Sequence, residues 1–176
     1  VRLCETPHRG LVGTLANHVR EARSGNRAYY VRNQHINYTN ICGKRCRFCS
    51  FYAKQGGPAP YTLSMDDVRE RIEAFRQVPI TEVHVTGGVN PALPYSYYVD
   101  LVRTVKEARP EATVKAFTMI ELAQIAEAGG KELDETLREL MDAGLGALPG
   151  GGAEVMSERL HAELFGRKMD AEQWLN

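Results

Sequence analysis

Glu82-Val83-His84-Val85-Thr86-Gly87-Gly88 is a β-branched run that stops at two glycines. A short run of this kind, bounded by turn residues, reads as a strand feeding a loop. Upstream, Ser64 and Asp67 have the spacing of a capping box with Leu63 as a staple, and Val68, Ile72 and Phe75 mark one face of a helix. Downstream, Pro94 opens a helix whose apolar face is Tyr98, Leu101, Val102 and Val105, with Pro110 beyond its end. A strand between two helices is the middle of a βαβ unit.

The alternation extends in both directions. Residues 34–40 read as a strand that runs into a cysteine-bearing loop, and Leu11, Leu15 and Val19, stopped by Gly25, predict a helix over residues 10–23. Residues 112–118 suit a strand, and residues 120–128 and 131–143 suit two helices broken by Gly129-Gly130, with Gly144 as a stop. Leu145 to Leu148 make a short strand followed by Pro149 and three glycines, and Ser157 can cap a helix carrying Leu160 and Leu164. The fold class is therefore α/β: a partial (β/α) TIM-type barrel, truncated after about four βα units. Residues 1–33 are expected to form an N-terminal helical segment and residues 34–176 the first part of the barrel domain. The chain starts at Val1 and stops just after Asp170 opens another helix, so a piece of a longer protein is expected.

Composition narrows the function classes. The 176 residues hold 22 Lys plus Arg against 22 Asp plus Glu, so net charge gives no case for nucleic acid or an anionic membrane. No apolar run approaches the ~20 residues that span a bilayer. The N-terminus lacks the order of a signal peptide, and the expected location is cytoplasmic.

Cysteine placement carries the chemistry. Cys4 stands alone, whereas Cys42-Gly43-Lys44-Arg45-Cys46-Arg47-Phe48-Cys49 is a C-x3-C-x2-C run directly after the first barrel strand. Thiolates at this spacing on one loop suit a soft-metal centre; three of them on a 4Fe–4S cluster leave one iron open. Zinc, with Cys4 or His35 as a fourth ligand, is the alternative, although the usual paired zinc spacings are absent. Two further glycine-rich stretches, Gly87-Gly88 and Gly150-Gly151-Gly152, also follow predicted strands, on the end of a barrel where chemistry sits.

The C-x3-C-x2-C run with an aromatic before its third cysteine resembles the radical S-adenosylmethionine (SAM) enzymes. The resemblance implies Cys42, Cys46 and Cys49 as ligands of a 4Fe–4S cluster whose fourth iron binds SAM. It implies the peptide around Phe48 as an adenine contact and Thr86, Gly87 and Gly88 as the stretch that meets the SAM amino group. Val89 stands where the commoner form has a glutamate. The resemblance further implies reduction by an electron donor such as flavodoxin or ferredoxin.

A narrower resemblance rests on His35 to Asn40, Lys115-Ala116-Phe117-Thr118, Leu148-Pro149-Gly150-Gly151-Gly152-Ala153-Glu154 and Lys168 to Trp174. These look like the aminofutalosine synthase family of menaquinone biosynthesis, whose relatives are the futalosine-pathway cyclases and the deazaflavin (FO) synthases. It implies Glu154 as a ribose contact, SAM as a consumed co-substrate, and a small aromatic carboxylate substrate, an enolpyruvyl ether of 3-hydroxybenzoate. Lys115 and Arg159 are candidate anchors for that substrate, and His84 and Glu121 candidates for proton transfer; none is assigned a catalytic role. A hydrogen-abstracting relative, a sulfur-inserting relative of biotin synthase and a non-catalytic zinc or iron–sulfur module stay open.

Overall fold

The computed structural model describes residues 2–54, 56–152 and 154–175, with the side chains of Arg2 and Cys4 outside that description. Two compact units divide the chain, Val1–Val31 and Arg32–Asn176. The first holds α1 (Arg2–Glu5) and α2 (Arg9–Ser24). Leu11, Leu15 and Val19 share one face of α2, and all three are exposed.

The second unit runs β1 (Asn33–Asn37), α3 (Met65–Glu73), β2 (Glu82–Thr86), α4 (Tyr95–Ala108), β3 (Thr113–Ala116), α5 (Met119–Gly129), α6 (Leu133–Asp142), β4 (Leu145–Ala147), α7 (Glu158–Phe165) and α8 (Ala171–Leu175). The sheet is wholly parallel in the order β1-β2-β3-β4. Sequential parallel strands joined by right-handed crossovers place their helices on one face and curve toward a barrel.

Burial along the strands shows which face that is. Ile36, Val83, Val85, Val114 and Ala116 are buried with Val68 and Ile72 of α3 and Leu101, Val102 and Val105 of α4. The alternate residues His35, His84 and Lys115 share the opposite face and are half-buried or exposed. Period-two alternation thus separates an apolar, helix-covered face from a polar one.

The predicted helix starts divide. Ser64 accepts a hydrogen bond from the Asp67 amide in a reciprocal capping box. Ser157 stands at the N-cap of α7 but makes no capping bond. Phe75 does not share the buried face of α3: that helix ends at Glu73, the chain turns, and Phe75 is 50% exposed. The first strand stops at Asn37 rather than Asn40, because Thr39 turns to a lone antiparallel bridge with Thr62. At the other end of β3, Phe117 is fully buried in a left-handed conformation (φ 63°), which ends that strand. Among the described residues no helix is long and apolar enough to cross a membrane.

Candidate active site

The cysteine loop leaves β1 and is closed at its base by Asn40, which is 1% exposed. Its side-chain amide donates to the Ala59 carbonyl (2.9 Å), its Oδ1 accepts the Tyr61 amide (2.8 Å), and its own carbonyl accepts the Ala53 amide (2.8 Å). One buried asparagine therefore holds both ends of the loop, and each bond would leave a buried orphan if broken.

The loop also leans on the exit of β2. The Gly88 amide donates to the Thr39 carbonyl (2.8 Å), and the Gly43 amide to the Val89 carbonyl (2.8 Å). A Cβ on Gly88 would lie 2.2 Å from the Ile41 oxygen, so only glycine lets these two segments meet. The expected reason for the glycines was close approach of a ligand; the structure adds a demand of the protein's own backbone.

Cys42, Cys46 and Cys49 line one cleft of about 180 Å³, together with Thr86, Gly87, Gly88, Phe48 and Glu154. The residues that the resemblances implied for cluster and SAM are thus brought to a single cleft, whereas His84, Lys115 and Arg159 do not line it, and the Cys4 side chain lies outside the described residues. Cys46 is buried, and that burial pushes its thiol pKa up, with Lys168 pulling the other way. Among the described residues no three His, Cys, Asp or Glu side chains gather tightly enough for one metal ion. A cubane places a demand different from a single ion, because each thiolate binds its own iron and the three need only share a cleft. The donor chemistry, three soft thiols on one wall, fits such a cluster.

Glu121 forms part of the cleft wall and is 2% exposed. Five donors converge on it: Tyr38 Oη (2.8 Å), the Gly87 amide (3.0 Å), Thr86 Oγ1 (3.0 Å), and the amide and Oγ1 of Thr118 (both 2.8 Å). A carboxylate has about four lone-pair sites, so these bonds exhaust it. The proton-transfer role considered from the sequence is therefore replaced by a structural one: Glu121 ties together the exits of β1, β2 and β3. Burial outweighs the bonds and raises its pKa.

The exit of β4 supplies the remaining wall. Glu154 adopts a left-handed backbone (φ 53°) and pairs with Lys168, whose Nζ also donates to the Gly152 carbonyl (3.3 Å). Lys168 lies 5.9 Å from the Phe48 ring centroid and 5.5 Å from that of Phe165, and the two rings meet edge to face. Lys168 opens one of the segments that carry the narrower resemblance, but its pairing with Glu154 went unread, since fourteen residues separate the two. Glu121 did carry a signal, the Thr118-x-x-Glu121 capping box. The other candidates lie elsewhere: Lys115 pairs with Glu82 (2.6 Å) beside His84 on the open sheet face, and Arg159 is exposed on α7 near Glu163.

Residues 36–176 match the Radical SAM superfamily, and the chain belongs to that superfamily. Its members use a 4Fe–4S cluster and SAM and need a reductant and a small-molecule substrate. Within it, the chain is 38% identical over 161 residues to aminodeoxyfutalosine synthase of Thermus thermophilus, covering 92% of this chain and 43% of that one. It is 33% identical over 174 residues to the Streptomyces coelicolor protein of the same name (99% and 45%), and 39% identical over 147 residues to cyclic dehypoxanthine futalosine synthase of Halalkalibacterium halodurans (84% and 40%). The chain thus spans less than half the length of these relatives. The crystal structure of methylornithine synthase shares the fold, with a TM-score of 0.52 at 21% identity, over 81% of this chain and 51% of that one.

Proposed function

We propose that residues 34–176 are the cluster-bearing part of a radical SAM transferase of the aminodeoxyfutalosine synthase type. In this reading Cys42, Cys46 and Cys49 hold the cluster, and Phe48, Thr86, Gly87, Gly88 and Glu154 contact SAM. One observation favours the synthase over the cyclase: the two synthases align over 92% and 99% of the chain, the cyclase over 84%. The 39% identity to the cyclase, and the 37% identity to FO synthase over 93% of the chain, keep the hydrogen-abstracting relatives as the second reading.

Held by Cys42, Cys46 and Cys49, the cluster would supply the electron that cleaves SAM, and SAM would supply the adenosyl group for the enolpyruvyl ether of 3-hydroxybenzoate. The chain's own residues prepare the cleft for this. The amides of Gly87 and Gly88 are both spent within the protein, so this stretch offers a ligand carbonyl acceptors, which suit an ammonium group. Lys168 presents a cation that suits a carboxylate. Glu154 accepts hydroxyl hydrogen bonds, and the Phe48 ring adds apolar surface to the cleft.

The test is anaerobic turnover of the full-length protein with reductant, SAM and the enolpyruvyl ether, read by mass spectrometry. An adenosyl adduct that retains the benzoate is expected; free 5′-deoxyadenosine beside untouched ether would move the assignment to the cyclase. Alanine at Cys42, Cys46 or Cys49 should abolish iron and sulfide content and SAM cleavage, whereas Cys4→Ala should preserve both. Stoichiometric zinc in place of iron would overturn the radical reading.

A further inference from the structure

From Ala22 to Met65 the sequence contains no aspartate or glutamate, in a chain whose charges otherwise balance at 22 against 22. Within that stretch the cysteine loop and its return carry Lys44, Arg45, Arg47 and Lys54. Arg45, Arg47 and Lys54 are exposed, and among the described residues none of the three pairs with a carboxylate. Arg47 reaches only the Glu163 carbonyl (3.5 Å), and Lys54 lies over the Tyr52 ring at 5.6 Å. Elsewhere in the same unit Arg69 is neutralised by Asp66 (2.8 Å), Arg76 by Glu73 (3.0 Å) and Arg103 by Asp100 (2.7 Å), whereas exposed Arg32, Arg71 and Arg167 pair with no carboxylate among the described residues. The cysteine loop and its return thus carry a positive field that no acidic residue of their own stretch offsets.

That field surrounds a second depression, of about 530 Å³, lined by Ile41, Cys42, Arg45, Tyr52, Lys54 and Pro58 among others. Cys42 and Tyr52 line both this depression and the catalytic cleft. At Cys42 the loop is thus a wall one residue thick, with the cleft on one side and an open, cationic hollow on the other. A hollow of mixed apolar and proline surface with two cations suits a protein partner better than a polyphosphate backbone, which asks for a continuous run of cations.

We propose that this hollow is the docking surface for an acidic protein carrying a low-potential one-electron centre, an assignment that rests on the cluster reading above. The partner's centre is oxidised by one electron and the cluster is reduced by one; no proton or group moves. The acidic face of the partner meets Arg45 and Lys54, and Cys42 gives the shortest covalent route from that face to the cleft. Neither cation lines the cleft itself, so removing them separates docking from SAM chemistry.

The experiment uses full-length holoenzyme and reduced flavodoxin as the probe, with association followed by surface plasmon resonance at low and high salt. Asparagine tolerates the left-handed backbone that Arg45 adopts (φ 50°), so the variant of choice is Arg45→Asn with Lys54→Gln. It should associate about tenfold more slowly at low salt and lose most of its salt dependence. Iron content and reduction by dithionite should match wild type. Lys54→Glu alone, at an exposed loop position, provides the same comparison if the double variant folds poorly. Equal flavodoxin binding by wild type and both variants would overturn the proposal, as would tighter binding of a short DNA duplex or anionic vesicles at these residues. Failure of the cluster reading shows separately, as iron-free wild type. Flavodoxin binding by that protein, with the same dependence on Arg45 and Lys54, would uphold the docking surface, and its absence would sink it.

Discussion

At the exits of β1, β2 and β3 the cleft wall is held by buried polar groups that the protein satisfies itself: Glu121 gathers five donors from three strand ends, and Asn40 closes the cysteine loop. At the exit of β4 the wall is held by Lys168, bonded to Glu154 and the Gly152 carbonyl, beside two aromatic rings. The first half is preorganised, because dismantling it strands several buried donors at once. The second half depends on a cation that a ligand's anionic group can share. One cleft thus joins a rigid wall that carries the three thiols to a side held by a single cation.

Breaking the first half should have the largest effect. Glu121→Ala strands the amides of Gly87 and Thr118 beside three hydroxyls and should cost about 3 kcal/mol of stability, measured by denaturant unfolding. Glu121→Gln should rescue only part of this, because the two amides approach different oxygens and one would meet an NH2 donor. A loss under about 0.5 kcal/mol for the alanine variant would remove the distinction between the two halves.

The second half should respond in binding rather than stability. Lys168→Met should change unfolding free energy by less than about 1 kcal/mol. It should weaken SAM binding about tenfold, as loss of one charged hydrogen bond implies. Isothermal titration of SAM into the reconstituted protein separates the two quantities; a large stability loss with unchanged SAM affinity would reverse the roles assigned here.

The smallest effect is a pH slope. Burial raises the Glu121 pKa, so the folded chain holds that proton more tightly than the unfolded chain. Stability should therefore fall as pH climbs from the ordinary 4.5 through the raised folded value, and Glu121→Gln should lack this contribution. Melting temperature against pH for the two proteins checks the sign.

The strand and helix order was readable because burial imposes period two on the strands and near-four on the helices, as Val83 and Val85 or Val68 and Ile72 show. Phe75 defied the helical period because α3 ends two residues before it, and a helix end is set by local capping bonds that periodicity does not encode. The capping boxes at Ser64 and Thr118 were visible as spacings, yet only Thr118 places its carboxylate partner, Glu121, under three strand exits.

The C-x3-C-x2-C run, its position after a strand and the two glycine-rich exits are one-dimensional facts, since ligands on a single loop converge over a few residues. They pointed to the superfamily that the family match shows and to the three thiols and two glycine-rich segments that line the cleft. Tertiary structure alone decided that Gly88 is needed to clear the Ile41 carbonyl, that Lys168 arrives opposite Phe48, and that Cys42 faces both the cleft and a cationic hollow. Each of these depends on distances between segments far apart in the chain, set by how the strands register and the loops pack, and no local pattern of residues carries that information.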